Sequence, residues 1–385
     1  MVNYFSSDFK LGVLGGGQLG RMLLQETQKF DIHTMIMDSS LEAPCAPYCN
    51  EFIQGDLLNY NDVYNFGKQV DVLTIEIEKV NIDALDDLEK EGITVLPKPN
   101  TLRIIQSKAR QKHFYTDNNI ATAPFSHYAY LEELHHSIDN SILDFPFVWK
   151  AARFGYDGNG VKIVRSYADL DGLPNVECIT EKLIPFKNEL AVIVARNSDG
   201  DSKTYPVVEM EFHPEANQVE YVICPARIDD EVAKKARQVA LDVANALDFV
   251  GLLAVEMFQT ESDEILVNEI APRTHNSGHY SIEASYTSQF EQHLRTILNL
   301  PLGNTESKVA GIMVNLVGAE GYAGDVVYEN IEKVMKIEGV TPHIYGKKQT
   351  RPFRKMGHVT IVHKDVNAAR KIAQEVKQTI KVISK

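Results

Sequence analysis

The first third of the chain alternates short apolar runs with amphipathic segments. The runs Leu11–Leu14, Thr34–Met37 and Val72–Ile75 have the length and bounding residues typical of buried β-strands. Helical spacing of apolar residues predicts helices over Leu19–Lys29, Ile82–Glu91 and Thr101–Asp117. Because strands and helices alternate, this region predicts a parallel, doubly wound α/β sheet.

The middle third is richer in strands. Runs at Phe147–Lys150 and Val161–Val164 flank a glycine-rich loop. One long helix is expected from about Asp229 to Leu247, since its acidic start suits the positive end of the helix dipole. The other predicted strands are Leu190–Ala195, Tyr205–Glu211, Val219–Ile223, Gly251–Phe258 and Ile265–Ile270. This mixture indicates an α+β domain rather than more of the first sheet.

The pattern resets near Pro301. Strands are predicted at Ala310–Val317 and Val359–Val362, followed by a helix over Val366–Lys377. The chain is therefore expected to form three units, at residues 1–115, 116–300 and 301–385. The predicted fold class is α/β and α+β.

Composition limits the partners that the chain can have. Of its 385 residues, 44% are hydrophobic and 24% are charged, which are ordinary values for a globular protein. The net charge of −14 argues against non-specific binding to nucleic acid or anionic membranes. No segment approaches the ~18–20 apolar residues of a membrane helix. The N-terminus also lacks the pattern of a signal peptide, so a cytoplasmic location is expected.

The cysteine pattern indicates reduced thiols. Four cysteines are too few for a disulfide scaffold in a chain of this length. Cys45 and Cys49 have the spacing of a metal clip, but no second Cys/His pair with matching spacing accompanies them.

A glycine loop follows the first strand and opens the first helix. Gly15–Gly20 satisfies G-x-G-x-x-G, and Asp38 ends the next strand 18 residues later. This is the dinucleotide fingerprint, in which glycines admit a phosphate and the acid binds a ribose hydroxyl. The same turn also suits other phosphates, or a tight strand–helix connection without a ligand.

Two acidic residues interrupt apolar strands of the middle third. Glu256 and Glu269 are 13 residues apart with a short polar turn between them, so neighbouring antiparallel strands would present both carboxylates at one point. Asn268 lies beside Glu269. Converging oxygen ligands of this kind suit Mg²⁺, which also binds substrate phosphates. The alternative is that each acid pairs with a core lysine or arginine.

Lysines and a glycine-rich loop lie near these acids in the predicted fold. Lys150 ends a strand at the mouth of a loop with glycines at 155, 158 and 160. The lysine is suited to phosphates, and the loop is suited to closing as a lid, although it is equally a hairpin tip. Glu181–Ile184 and Glu189 offer backbone groups for adenine and a carboxylate for ribose hydroxyls.

Histidines and arginines follow the second acidic strand. His275 and His279 would form a zinc pair on a helix, but Pro272 and Gly278 favour a loop. A structural role is the alternative for a single histidine. The segment 351–358 is a basic cluster in an acidic protein and hence a candidate anion site.

These motifs together resemble a known family. The chain resembles the ATP-grasp superfamily and, within it, the 5-(carboxyamino)imidazole ribonucleotide synthases of purine biosynthesis. The matching stretches are Gly15–Leu23, Thr74–Val80, Lys150–Gly160, Leu252–Phe258, Val267–His279 and Arg354–His358. The resemblance implies a Rossmann-like N-terminal domain, a central ATP-grasp domain, a small C-terminal α/β domain and a homodimer.

The resemblance implies a ligase that uses ATP and bicarbonate to carboxylate the amine of 5-aminoimidazole ribonucleotide. Phosphorylation converts bicarbonate, a poor electrophile, into carboxyphosphate. Mg²⁺, with Mn²⁺ as a possible substitute, neutralises the transferring phosphoryl group. The reactive intermediate must be shielded from water until the amine captures it.

The resemblance also implies roles for individual residues. Glu256 and Glu269 would hold the metal, and Asp157 would accept a proton. The other residues of the reaction centre would be Tyr156, Arg273, His275 and Lys355. ATP would contact Lys108, Lys150, Gly155, Tyr156, Asp157, Gly158, Asn159, Gly160, Val161, Glu181, Lys182, Leu183, Ile184, Glu189, His213, Asn268 and Glu269. The ribonucleotide would contact Gln18, Leu19, Glu76, Asn276, Ser277, Lys348, Arg354 and Lys355.

Two residues depart from the family pattern. Asn159 stands where relatives often carry a basic residue, and Lys108 stands where many carry arginine, which binds anions with different geometry. Three other interpretations stay open. They are another ATP-grasp ligase with a different acceptor, an NAD-dependent oxidoreductase, and a silent nucleotide-binding protein. Only the glycine loop and Asp38 support the second, and the set Lys150, Glu256, Asn268 and Glu269 counts against the third.

Overall fold

The N-terminal part of the chain forms a parallel sheet flanked by helices. The computed structural model describes residues 3–153, 160–213 and 218–385. The first elements are β1 (Lys10–Leu14), α1 (Gln18–Lys29), β2 (His33–Asp38), β3 (Glu51–Gln54), α2 (Tyr60–Gly67), β4 (Val72–Ile75), α3 (Ile82–Lys90), β5 (Thr94–Val95), α4 (Pro99–Ile105) and α5 (Lys108–Asp117). The strand order is β3-β2-β1-β4-β5, and all pairs are parallel. This N-terminal sheet confirms the predicted doubly wound α/β fold.

One helix prediction in this part is wrong. A single helix was expected over Thr101–Asp117, whereas the structure has α4 and α5 with a break between them. The Ser107 hydroxyl accepts a hydrogen bond from the Arg110 amide and so starts a new helix. Lys108 thereby becomes the first residue of α5.

The next part of the chain forms a small antiparallel sheet. Its elements are β6 (Phe125–Tyr128), α6 (Leu131–Asp139), β7 (Phe147–Ala151), β8 (Val161–Val164), a short 3₁₀ turn at Tyr167–Leu170, and β9 (Cys178–Lys182). The strand order is β6-β9-β7-β8. Ala151 donates its amide to the Gly160 carbonyl (2.9 Å), so the ends of the glycine-rich loop meet beside Lys150.

A large sheet faces the small one. Its first elements are β10 (Phe186–Arg196), β11 (Ser202–Thr204), β12 (Val208–Phe212), β13 (Val219–Cys224), α7 (Asp230–Ala246), β14 (Gly251–Thr260), β15 (Ile265–Ala271), a 3₁₀ turn at Asn276–Gly278, α8 (Ser281–Ala284) and α9 (Gln289–Ile297). The strand predicted over Tyr205–Glu211 begins only at Val208, because Pro206 has no amide hydrogen to donate to a sheet.

The C-terminal part continues the large sheet. Its elements are β16 (Ala310–Val317), β17 (Gly324–Glu329), α10 (Ile331–Val334), β18 (Val340–Ile344), β19 (Gln349–Thr350), β20 (Lys355–His363), α11 (Val366–Thr379) and β21 (Lys381–Ser384). The large sheet runs β15-β14-β10-β12-β13-β16-β20-β18, with β11 beside β10. The pairing of β13 with β16 therefore joins the middle and last parts of the chain. Across the described ranges, no helix has the length and apolar character needed to cross a membrane.

A buried stack of three imidazole rings lies where these two parts meet. The His358 ring is 4.3 Å from the His343 ring and 4.8 Å from the His279 ring, measured between centroids. The Tyr345 hydroxyl lies 3.0 Å from His358 Nδ1. The zinc pair considered for His275 and His279 required a helix, whereas Asn276–Gly278 forms a 3₁₀ turn and His279 is buried in this stack.

Burial in the stack disfavours protonation of two of its rings. It lowers the pKa of His279 and His358 well below the ordinary histidine value. The neighbouring positive charges of Arg273 and Lys355 act in the same direction on His279.

We expect the protein to lose stability in mild acid. Below about pH 6.5 the unfolded chain binds protons that His279 and His358 cannot bind when folded. The free energy of unfolding should then fall by up to about 1.4 kcal/mol per pH unit for each histidine. Urea unfolding between pH 7.5 and 5.5 measures this slope. His358→Gln should reduce it, whereas His363→Gln, exposed on the same strand, should leave it unchanged. An equal slope in both variants would contradict this assignment.

Candidate active site

The centre of the site is a pair of facing carboxylates. Glu256 on β14 and Glu269 on β15 are direct partners in the antiparallel ladder, as the hairpin interpretation predicts. Directly opposed residues point to the same face of a sheet, so the two acids present their charges together. Solvent reaches 14% of the Glu256 side chain and 42% of the Glu269 side chain. The pair is therefore set in a cleft that remains open at Glu269.

Nearby cationic side chains neutralise the charges of the two carboxylates to different extents. Lys108 forms an ion pair with Glu269, and the positive charge of Lys108 lowers the pKa of Glu269. Burial and the nearby charge of Glu269 raise the pKa of Glu256. Burial opposes the charge of Lys108 as well, but Glu269 outweighs it and raises the pKa of the lysine. His275 Nε2 lies 3.3 Å from Glu256 Oε1. The alternative that each acid pairs with a core lysine or arginine therefore applies to Glu269. Its partner Lys108 lines the same cleft.

A third carboxylate joins two lysines deeper in the cleft. Glu181 on β9 is 3% exposed, and its two oxygens lie 2.9 Å from Lys112 Nζ and 2.8 Å from Lys150 Nζ. Lys150 also donates to Asn268 Oδ1 (2.8 Å). Glu181 belongs to the segment Glu181–Ile184 predicted to contact the nucleotide, and its carboxylate bridges the two ammonium groups. Lys112 was not foreseen, although it lies one helical turn after Lys108 and so shares its face of α5.

Glu189 extends the acidic character of the cleft. It lies on β10, next to the strand that carries Glu256. Burial, reinforced by the charge of Glu269, raises the pKa of Glu189 to about 7, while Lys150 partly opposes the shift. A carboxylate with this pKa takes up and releases protons near neutral pH.

The segment after β15 is held rigidly beside the carboxylates. Gln289, fully buried at the start of α9, accepts from the His275 amide (2.9 Å) and donates to the His275 carbonyl (2.8 Å). His275 Nδ1 lies 2.9 Å from the Ser277 hydroxyl. Arg273 pairs with Glu78 at 2.8 Å, and Asn276 exchanges hydrogen bonds with Asn315. The His275 ring therefore has Nδ1 beside the Ser277 hydroxyl and Nε2 directed toward Glu256.

The basic cluster reaches the cleft from the C-terminal part. Lys355 begins β20, and Arg354 donates to the Gln349 carbonyl (2.6 Å). Lys348 forms an exposed ion pair with Glu42 of the N-terminal part (2.9 Å). His213 lies beside Phe353, with 6.1 Å between ring centroids. Lys348 thus links the C-terminal part to the N-terminal part.

The glycine loop is closed by carboxylates of the chain itself. Glu76 accepts from the amides of Gly17 (2.8 Å) and Gly20 (3.0 Å), and Asp38 accepts from the Gly16 amide (2.8 Å). A β-carbon added at Gly17 would lie 2.5 Å from Glu76 Oε1, so a larger residue there would displace the Glu76 carboxylate. The donors that a dinucleotide pyrophosphate would use are therefore engaged, and the oxidoreductase alternative is not supported. Gln18 and Leu19 follow as the first residues of α1.

We expect Glu76 to stabilise the N-terminal sheet. Glu76→Ala leaves two partly buried amides without acceptors, which should lower the free energy of unfolding by about 1–3 kcal/mol. Glu89→Ala, at an exposed position on α3, is the matched control and should change little. Urea unfolding compares the two. Equal stability of both variants would show that the loop does not depend on this carboxylate.

Some predicted residues lie at or beyond the edge of the described chain. Gly155, Tyr156, Asp157, Gly158 and Asn159 fall outside the described residues. Gly160 and Val161 stand at the start of β8, next to Lys150. Lys182 ends β9 and donates its amide to the Pro124 carbonyl (2.9 Å), while Leu183 and Ile184 follow before β10.

The donor set around the facing carboxylates fits a hard divalent cation. It consists of Glu256, Glu269 and the amide oxygen of Asn268, without thiolates. Within the described residues, no group of three or more His, Cys, Asp or Glu side chains gathers as a complete metal cage. Mg²⁺ is typically bound by one or two protein carboxylates plus phosphates and waters, so this set suits it.

Family models match all three parts of the chain. They are a ribonucleotide synthetase preATP-grasp domain over residues 9–106, an ATP-grasp domain over residues 113–290, and a phosphoribosylaminoimidazole carboxylase C-terminal domain over residues 311–372. The fold and the site thus define an ATP-grasp enzyme.

Individual relatives narrow this class. The chain is 42% identical to an N5-carboxyaminoimidazole ribonucleotide synthetase from Thermotoga maritima, with a TM-score of 0.90 over 98% of this chain and 100% of that structure. A synthase from Aspergillus clavatus, solved with ADP and 5-aminoimidazole ribonucleotide, is 32% identical, with a TM-score of 0.88 over 97% and 98% of the chains. The chain belongs to the N5-carboxyaminoimidazole ribonucleotide synthase family.

One curated relative is longer. The chloroplastic phosphoribosylaminoimidazole carboxylase of Vigna aconitifolia is 39% identical over 361 residues. That alignment covers 91% of this chain and 64% of the relative. The chain therefore spans about two thirds of the length of that carboxylase.

Proposed function

We propose that the protein carboxylates the amine of 5-aminoimidazole ribonucleotide with ATP and bicarbonate. A bicarbonate oxygen attacks the γ-phosphorus of ATP, releasing ADP and forming carboxyphosphate. The amine then attacks the carboxyl carbon, phosphate leaves, and a base accepts the amine proton. The observation that carries this proposal is the pair Glu256 and Glu269, facing each other with Lys108 and Lys150 at the mouth of the glycine-rich loop.

Two lysines are assigned to the phosphates of ATP. Lys108 and Lys150 are engaged with Glu269 and Asn268, groups that belong to the same cleft. A phosphate chain entering the cleft offers both ammonium groups stronger partners. Adenine and ribose are assigned to the segment Glu181–Ile184 and to Glu189. His213 and the loop from Gly155 to Val161 complete the assignment by family resemblance.

Glu256, Glu269 and Asn268 are the residues that would hold Mg²⁺, with Mn²⁺ as a substitute. When bound, the ion neutralises charge on the transferring phosphoryl group. Lys108 keeps Glu269 ionised in its absence, since the ammonium charge lowers the pKa of that carboxyl.

Bicarbonate and the amine are assigned to the segment after β15. His275 is held by Gln289 and Ser277 and reaches the side of Glu256. Arg273 and Lys355 supply positive charge for anionic oxygens, while Tyr156 and Asp157 of the loop complete the centre, with Asp157 as the proton acceptor. The ribonucleotide is assigned by family resemblance to Gln18, Leu19, Glu76, Asn276, Ser277, Lys348, Arg354 and Lys355.

We also propose a homodimer in the cytoplasm. The homodimer rests on the family resemblance. The compartment is supported by the four cysteines, all of them described and all free thiols, which suit a reducing environment.

The reaction is tested by measuring ADP release with Mg²⁺, ATP and bicarbonate. Adding 5-aminoimidazole ribonucleotide should stimulate release strongly, because capture by the amine consumes carboxyphosphate and completes the turnover. ATP binding without stimulation would contradict the ribonucleotide assignment. It would favour the alternative of an ATP-grasp ligase with another amine acceptor.

We expect Glu269→Gln to abolish ADP release while leaving the protein folded. The substitution removes the charge that pairs with Lys108 and that would bind the cation. The loss should be at least about 100-fold, in the range of other removals of transition-state charge stabilisation. Glu264→Gln, exposed at the end of the same hairpin, is the matched control. Normal ADP release by folded Glu269→Gln protein would remove the metal assignment.

A further inference from the structure

We propose that Lys112 is a positioning residue of the nucleotide site. It holds the Glu181 carboxylate in a fixed position relative to strand β15 and thereby sets the position of Lys150. The inference rests on the proposed function, because it assumes that this cleft binds ATP. Lys112 has no assigned role in the site as described by resemblance, and its side chain is 3% exposed, so it acts through its neighbours rather than on the nucleotide directly.

Lys112 makes two polar contacts that lead in opposite directions. Its ammonium lies 2.9 Å from Glu181 Oε1 and donates to the Thr122 hydroxyl at 2.6 Å. The Thr122 hydroxyl in turn donates to the Val267 carbonyl, also at 2.6 Å. The approach to Glu181 is an ion pair rather than a well-aligned hydrogen bond. The chain of contacts therefore runs from Glu181 through Lys112 and Thr122 to Val267.

These contacts join the two sheets that enclose the cleft. Glu181 belongs to β9 of the small sheet, whereas Val267 belongs to β15 of the large sheet. Thr122 also forms a parallel β-bridge with Val267. Val267 is followed directly by Asn268 and Glu269 on the same strand. Lys112 thus connects the wall that carries Glu181 to the strand that carries the proposed phosphate and cation ligands.

Charge sharing explains why this connection affects Lys150. Glu181 is buried between two ammonium groups, so each lysine compensates only part of its charge. Without Lys112, Lys150 is the remaining close partner of the buried Glu181 carboxylate. Moving Lys150 away from Glu181 then has a larger free-energy cost. Lys150 then turns toward a nucleotide phosphate less readily.

The environment of Lys112 agrees with a paired, buried cation. Burial, together with the charge of Lys150, lowers the pKa of Lys112 to about 8, and Glu181 opposes the shift. The lysine is still mostly protonated at neutral pH. A side chain that only filled space would not need a charge in this position.

The test is calorimetric titration of ADP with Mg²⁺ into the full-length protein and two variants. Lys112→Met keeps the length of the side chain and removes its charge, and should weaken ADP binding about tenfold. Thr122→Val keeps the shape and removes the hydroxyl, and should weaken binding about threefold. Arg110→Met, exposed on the same helix, is the matched control and should bind as the unmodified protein does.

A double-mutant cycle separates positioning from packing. If Lys112 acts through Glu181, the losses in ADP affinity from Lys112→Met and Glu181→Gln are not additive. Wild-type ADP affinity in either folded variant, or additive losses in the cycle, would overturn the inference. Should Lys112→Met fail to fold, Thr122→Val decides alone by the same criterion. Failure of the unmodified protein to bind ADP would instead overturn the proposed function on which this inference rests.

Discussion

The organisation of the cleft depends on one unfavourable juxtaposition, the facing carboxylates of Glu256 and Glu269. Antiparallel pairing of β14 with β15 places both acids on the same face of the large sheet. Like charges this close cannot both stay ionised without a cation. Lys108 supplies that charge at Glu269, while Glu256 responds with a raised pKa. The hairpin brings the two acids together, and this is why the cleft requires cationic side chains around them.

Lysine placement follows from how the two sheets meet. Lys108 and Lys112 come from one helical turn of α5, and Lys150 comes from β7 of the small sheet. Each contacts an acid or amide on a strand distant in sequence, for instance Lys150 with Asn268. The three ammonium groups thus lie near one another only because carboxylates separate them.

Much of the fold follows from local patterns, because apolar strands and amphipathic helices leave clear periodicities. The facing of Glu256 and Glu269 was also predictable, since a short turn between two strands fixes their register. The contacts of Lys112, by contrast, could not be predicted from the sequence. Its partners Glu181 and Thr122 lie on other elements, and nothing in a helix reveals which buried acid will meet a lysine. The break before α5 was missed because a serine cap is compatible with a continuous helical pattern.

The glycine loop shows why a motif defines a geometry rather than a ligand. Its turn gathers backbone amides at the start of α1, where any anion is stabilised. In this chain the anion at Gly17 and Gly20 is the Glu76 carboxylate, delivered from just beyond β4. The positive end of the helix is therefore satisfied internally. The same physical preference that binds a dinucleotide elsewhere here fixes the Glu76 side chain against the glycine loop.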